Sequence, residues 1–199
     1  MIIVATSLIV YFTGGGKKSH ILGILAAGAI GFVLLVSFKP YQIDRIRCTI
    51  DPNFSFNDKC YQVNQSLIAV GSGGIFGRGL GESRQKFLYI PEVSSDSIYA
   101  VIGEEIGLVF GLIFIGMYSV LFLRGIRIGK QAPDGYGRIL AIGIVSWIAI
   151  QVFVNIGGII NLMPMTGVPL PLVSYGGTAI LSVMIGLGIL LNISKQSKD

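Results

Sequence analysis

No Asp, Glu, Lys, Arg or His occurs anywhere from residue 139 to residue 194. A water-soluble domain does not carry so long an uncharged run, because each of its helices or strands needs a face that water tolerates. Hydrocarbon tolerates it when the backbone is helical, since every N–H and C=O is then paired within the segment. One crossing takes about 20 apolar residues, so the run exceeds a single span. Pro164, Pro169 and Pro171 divide it into spans at 139–162 and 174–193. Two further apolar runs lie upstream: 21–38 has no charge, and 97–123 has charge only at Glu104 and Glu105. Residues 1–12 are apolar but too few to cross. The expected fold class is an all-α integral membrane protein: a polytopic helix bundle, with about four full spans plus one partial N-terminal span in a single domain over 1–199.

The connections set the expected topology. Lys17 and Lys18 lie in the first, Arg124, Arg127, Lys130 and Arg138 in the connection 124–138, and Lys195 and Lys198 in the tail. Alternating crossings place all three on one side, and the excess of basic residues assigns that side to the cytoplasm. The loop 39–96 is then extracytoplasmic, as is the turn containing Pro164, Pro169 and Pro171. The loop's seven Lys and Arg residues do not oppose this, because loops of that length are largely exempt from the rule. A partial first span entering from outside leaves two readings, a chain that begins inside a helix of a longer protein or a misassigned start, and the C-terminal part of a longer membrane protein is the expected one. The net charge of +5 reads as topology, and nucleic acid is not an expected partner.

The loop contains six glycines between residues 71 and 81, in GSGGIFGRGLG. The spacing G-x-G-x-x-G is absent and no Gly-Lys-Ser/Thr follows, which excludes the dinucleotide and P-loop readings. Two readings remain: a tightly turned surface loop, or backbone N–H groups free to approach an anion. Arg84 and Lys86 follow, either as a solvated basic face or as partners for a lipid-linked phosphate. Cys48 and Cys60 share the loop, where oxidation is allowed. Spacing alone does not determine pairing, so a disulfide between them is left open.

Three acids stand where the loop enters the span 97–123. Asp96 sits at the polar boundary, where it either stays ionised and meets a substrate or, like Ser94 and Ser95, caps the helix. In a regular helix, Glu104 and Glu105 lie about 12–14 Å deeper. Carboxylates at membrane depth are costly, so these two either pair with polar groups on a neighbouring span or serve function. Gly103, Gly107 and Gly111 form a small-residue stripe suited to close helix packing. Gln151 and Asn155, one turn apart, read as interhelical hydrogen-bond partners.

The stretch YQVNQSLIAVGSGGIFGRGLGESRQKFLYIPEVSSDSIYAVIGEEIG, 61–107, resembles the signature of the SEDS family, the FtsW, RodA and SpoVE proteins of bacterial cell-wall synthesis. So does NIGGIINLMPMTGVPLPLVSYGGTAI, 155–180. The resemblance runs through most of the chain, and the glycine pattern and Gln-Lys run look closer to FtsW and SpoVE than to RodA. Members have about ten spans, which agrees with a chain that holds the last four and part of one more. The family's essential aspartate lies in a motif like T-D-F-I-F-A, matched here by Ser95, Asp96, Ser97, Ile98, Tyr99 and Ala100. Ser97 and Tyr99 stand where phenylalanines are frequent.

The resemblance implies an enzyme, a peptidoglycan glycosyltransferase that polymerises lipid II in cell division or cell-shape maintenance. Asp96 is then the general base. It takes the proton from the acceptor's N-acetylglucosamine 4-hydroxyl, whose oxygen attacks C1 of the donor's N-acetylmuramic acid. Undecaprenyl pyrophosphate leaves from the opposite face, giving a β-1,4 bond. Arg84, Gln85 and Lys86 are candidates for binding the departing pyrophosphate, and Thr166, Ser174 and Tyr175 for lining the lipid-head cavity. A divalent cation, Mg or Mn, would share that charge, although no metal-ligand cluster is visible. The implied partners are lipid II, a class B penicillin-binding transpeptidase, and other divisome or elongasome membrane proteins. The implied location is the bacterial inner membrane, with the active site on the extracytoplasmic side. The alternatives are a lipid II flippase and a non-catalytic scaffold for the transpeptidase. The 199-residue chain by itself is expected to be inactive.

Overall fold

The computed structural model describes residues 1–38, 40–55, 58–83 and 96–196. The described residues are helical, with no strand. The order is α1 (Ile2–Thr13), α2 (Lys18–Phe38), α3 (Pro40–Ile50), a 3₁₀ turn (Pro52–Ser55), α4 (Tyr61–Ser72), α5 (Ile98–Gln131), α6 (Gly135–Ile159) and α7 (Gly177–Gln196). Among the described residues, α5, α6 and α7 are long and apolar enough to cross a membrane. The expected connection 124–138 is mostly helix: α5 continues to Gln131 and α6 begins at Gly135. Pro133 cannot continue α5, and both carboxylate oxygens of Asp134 accept from the Gly137 N–H at 3.3 Å, which caps α6. The long loop 39–96 has structure of its own in α3, the 3₁₀ turn and α4, and α4 covers the stretch YQVNQSLIAV, 61–70, which reads in the sequence as a short half-buried helix.

The chain divides into two compact units. The first comprises Met1–Phe38, Tyr118–Ile150 and Thr178–Asp199. Its core is Ala141 and Val145 of α6 against Leu190 and Ile193 of α7, with Phe122 and Leu187 packed onto it. A Cβ on Gly125 would lie 2.3 Å from Val145 Cγ2, so only glycine permits α5 and α6 to approach this closely. Near the start of the unit, the Tyr11 hydroxyl meets His20 Nδ1 at 2.8 Å and their rings stack.

The second unit comprises Lys39–Met117 and Gln151–Gly177. Cys48, at the end of α3, is disulfide-bonded to Cys60, just before α4, which settles the pairing that spacing left open. Helix α3 is also tied to the proline turn. The Arg45 guanidinium donates to the Met165 carbonyl, and Asn161 Nδ2 donates to the Thr49 carbonyl at 3.1 Å.

The largest departure from expectation is in α5. Gly107 has φ 75° and ψ −174°, far from helical values, and divides α5 into two arms. The rings of Tyr99 and Phe114 lie 6.1 Å apart between centroids, whereas in a straight helix residues so separated stand roughly 22 Å apart along the axis. The arm before Gly107 therefore folds back over the arm after it. The regular-helix depth of Glu104 and Glu105 below Asp96 does not apply to such a hairpin.

The glycine-rich loop is what sustains the break. An uninterrupted helix would bond the Leu108 N–H to the Glu104 carbonyl and the Val109 N–H to the Glu105 carbonyl. Here the loop takes all four groups. Leu108 and Val109 donate to the carbonyls of Gly74 and Ile75 at 3.0 and 3.2 Å, while Arg78 and Gly79 donate to those of Glu104 and Glu105 at 3.0 Å each. The strands of backbone come so close that a Cβ on Gly77 would lie 2.2 Å from the Glu105 carbonyl oxygen. A Cβ on Gly107 would lie 2.2 Å from the Gly77 nitrogen. The glycine cluster thus serves close packing of backbone on backbone, which neither sequence reading contained. The stripe Gly103, Gly107, Gly111 is not one helix face either, because its middle member is the break.

Candidate functional site

The site lies in the second unit, where the start of α5, the end of α6 and the proline turn meet around Asp96. Asp96 is 8% exposed and immediately precedes Ser97 and α5. Its backbone carbonyl accepts from Asn155 Nδ2 at 2.7 Å. The same amide nitrogen donates to the Val168 carbonyl, also at 2.7 Å. With both hydrogens committed, one buried side chain fixes the aspartate against the proline turn. Gln151, one turn earlier, donates to the Pro169 carbonyl at 2.9 Å. Gln151 and Asn155 therefore hold loop backbone, where the sequence suggested bonds between helices. The signal for this was present: two amides one helical turn apart, followed by a turn whose prolines leave carbonyls without helical partners.

The carboxylate itself borders on Gly167. A Cβ there would stand 3.5 Å from Asp96 Oδ2, so glycine keeps bulk away from that oxygen. Gly167 has φ 69°, which favours glycine independently. On the other side, the Ser97 hydroxyl donates to Asp96 Oδ1 at 3.4 Å, and Gln62 Nε2 of α4 donates to the Ser97 hydroxyl, also at 3.4 Å. Ser97 is fully buried, which leaves no room for phenylalanine's bulk, and Tyr99 packs on Phe114. The two departures from the T-D-F-I-F-A pattern thus have local uses. The Asn155 Oδ1 atom is buried with no hydrogen-bond partner, a vacant acceptor beside the aspartate's backbone.

The other candidates fall in different places. Glu104 is completely buried; it accepts from the Ser83 hydroxyl at 2.6 Å and pairs with Arg78 at 3.5 Å. Both of these partners belong to the glycine-rich segment, and the interaction is part of what seats that loop. Glu105 has one carboxylate oxygen buried without a partner. Ser174 is buried, and its hydroxyl accepts from the Leu170 N–H at 2.7 Å, closing the turn. Thr166 is exposed next to Gly167, and Tyr175 is 82% exposed. Arg84, Gln85 and Lys86 lie outside the described residues. Among the described residues, no group of three His, Cys, Asp or Glu side chains could hold a metal ion.

A cavity of about 140 Å³ lies between α3, α4 and the turn, lined by Asp44, Arg45, Cys48, Lys59, Gln62, Val63 and Met165. The Lys59–Asp44 ion pair, at 2.9 Å, stands in its wall.

The arrangement offers one buried, positioned carboxylate beside an open glycine, braced by a buried amide. Such a group can accept a proton from a hydroxyl brought against Oδ2.

Comparison with known proteins agrees with this fold. The family model described as cell cycle protein, that of FtsW, RodA and SpoVE, matches residues 1–199. Stage V sporulation protein E of Bacillus subtilis strain 168 is 44% identical over 197 residues, covering 99% of this chain and 54% of that protein. A probable peptidoglycan glycosyltransferase FtsW of Geobacter sp. strain M18 is 37% identical over 194 residues, covering 98% of this chain and 53% of that one. The chain spans about half the length of the curated relatives it matches. A solved peptidoglycan synthase complex that coordinates polymerization and crosslinking contains a chain superposing with a TM-score of 0.75 at 26% identity, over 100% of this chain and 55% of that one. The rod shape determining protein RodA of Thermus thermophilus superposes with a TM-score of 0.61 at 24% identity, over 100% of this chain and 49% of that one, a likeness of fold alone. The all-α, multi-pass membrane architecture expected from the sequence holds, and this chain belongs to the FtsW/RodA/SpoVE family of cell cycle proteins.

Proposed function

We propose that this chain carries the catalytic carboxylate of a peptidoglycan glycosyltransferase that polymerises lipid II on the extracytoplasmic side of the bacterial inner membrane. The observation that carries the reading is Asp96 itself: buried, tied through its backbone to Asn155, and bordered by Gly167. Relatives named as probable peptidoglycan glycosyltransferases support the substrate class.

In the proposed reaction, Asp96 Oδ2 takes the proton of the acceptor sugar's 4-hydroxyl. The freed oxygen pair attacks C1 of the donor sugar, the C1–O bond to pyrophosphate breaks, and undecaprenyl pyrophosphate carries away the electron pair. Displacement from the opposite face converts the α-linked donor into a β-1,4 bond. Pyrophosphate leaves as a stable anion, so the paired protonating acid of glycosidases is not required. Arg84 and Lys86, with Gln85, are proposed to meet the leaving pyrophosphate. Thr166, exposed beside Gly167, and Tyr175 are proposed to border the lipid head. The described residues do not by themselves make a ligand set for a divalent cation, and no step is assigned to one. The proposed protein partner is a penicillin-binding transpeptidase, in keeping with the synthase complex that the fold resembles.

The test is Asp96→Asn, made in the intact enzyme and at the matching position of a full-length relative, with labelled lipid II supplied from outside. Loss of about 10²-fold or more in strand synthesis, with lipid II binding retained, is expected for a general base. Polymerisation at the normal rate would overturn the assignment.

A further inference from the structure

The glycine-rich loop presents three large apolar side chains to its surroundings. Ile75, Phe76 and Leu80 are 60%, 77% and 79% exposed. They adjoin a second exposed apolar group, because the loop backbone is bonded directly to Leu108 and Val109, which with Phe110 and Leu112 are themselves exposed. In water, a patch of this kind on a segment so tightly fixed would be costly.

The position of the patch along α5 identifies what covers it. The uncharged run 106–123 ends at Arg124 and begins after Glu105, and its length is close to the ~20 residues of one crossing. Leu108 and Val109 therefore belong to the first turn of the span, and the loop is bonded to that turn. Irregular backbone at such a depth is tolerated only when its polar groups are paired within the protein. The loop meets that condition at the level of the helix break. The Gly74 and Ile75 carbonyls and the Gly77, Arg78 and Gly79 N–H groups are all hydrogen-bonded to protein backbone. Its one cation there, Arg78, is paired with Glu104. A water-exposed loop needs neither provision.

We infer that residues 74–80 form a re-entrant lip, with Ile75, Phe76 and Leu80 immersed in the acyl chains of the leaflet at the Glu105 end of α5. The occupant of the patch is membrane lipid. The segment is an interfacial anchor that holds the helix break at a set depth, whatever reaction Asp96 serves.

The test places a fluorescent reporter at the tip. Trp147→Phe removes the chain's single tryptophan, and Phe76→Trp supplies a new one. The full protein, with any tryptophan outside these 199 residues also changed to Phe, is reconstituted into phosphatidylcholine vesicles whose acyl chains carry bromine either at carbons 6 and 7 or at carbons 11 and 12. For shallow immersion of about 5–10 Å, the 6,7-bromo lipid is expected to lower emission about twofold and more than the 11,12-bromo lipid does. Leu112→Trp in the same background serves as a reference further along the span. Iodide quenching from water comparable to that of free N-acetyltryptophanamide, with no bromine effect, would overturn the inference. Protection from both quenchers would also overturn it, since protein would then cover the patch. Should the reporter variants misfold, the unaltered protein is photolabelled with a diazirine-bearing phospholipid. Label is expected on peptides spanning 73–83 as well as on those spanning 108–113; label on the latter alone contradicts a lipid-immersed lip.

Discussion

Asn155 does more for the site than its amide character announces. It spends no hydrogen on solvent: both go to carbonyls, one of Asp96 and one of Val168, at 2.7 Å. Asn155→Ala would leave both carbonyls without that donor in a buried setting. Each stranded group costs about 1–3 kcal/mol, so a loss of about 2–6 kcal/mol is expected in thermal or denaturant unfolding of the detergent-solubilised protein. If Asp96 is the base, the same variant lowers kcat for strand synthesis more than it raises KM, because the carboxylate's aim is disturbed and substrate contacts are not. A variant with wild-type stability and kcat would show that the amide holds nothing of consequence. Asp96 was legible from the sequence through its motif. Its brace was not, because an amide on an apolar helix looks the same whether it faces another helix or a loop that returns from elsewhere in the chain.

At the scale of elements, the exchange of hydrogen bonds between the glycine-rich loop and α5 governs the second unit. Two helical bonds, Leu108 to Glu104 and Val109 to Glu105, are given up and four loop bonds replace them, so these four backbone groups stay paired across the break. Gly77→Ala tests this directly. It places a methyl group 2.2 Å from the Glu105 oxygen at a residue with φ 81°, and a loss of about 2–4 kcal/mol is expected. Gly81→Ala is the matched control. It has φ 85° but open space around the added methyl group, so only the conformational cost of about 1–2 kcal/mol applies. Equal shifts in unfolding midpoint for the two variants would mean that close approach is not what Gly77 provides. The sequence showed the glycines and showed an apolar helix. That the two features are halves of one structure was hidden, because nothing local in 97–123 signals a helix break except a glycine, and most glycines in membrane helices do not break them.

For the molecule as a whole, charge placement carries the topology. Ala132 lies in the short connection between α5 and α6, close to Arg124, Arg127, Lys130 and Arg138, while Tyr175 is exposed in the proline turn at the other end of α6. With Cys48 and Cys60 bonded to each other, no free thiol is present among the described residues to confuse labelling. Tyr175→Cys is expected to react with a membrane-impermeant maleimide in intact cells, and Ala132→Cys only after permeabilisation. The reverse pattern would invert the protein and place Asp96 on the wrong side for a lipid II polymerase.

Composition and charge order alone decided that this chain is helical and lives in a membrane, since hydrocarbon admits few other solutions for an uncharged run of that length. Two long stretches, 61–107 and 155–180, pointed to the family. Only the tertiary structure decided that the helix after Asp96 folds back at Gly107, that a glycine-rich loop fills the break, and that Asn155 holds the aspartate in place. Each of these depends on backbone groups from distant parts of the chain meeting at hydrogen-bonding distance, and a hydropathy pattern carries no record of which distant carbonyl a given N–H will find.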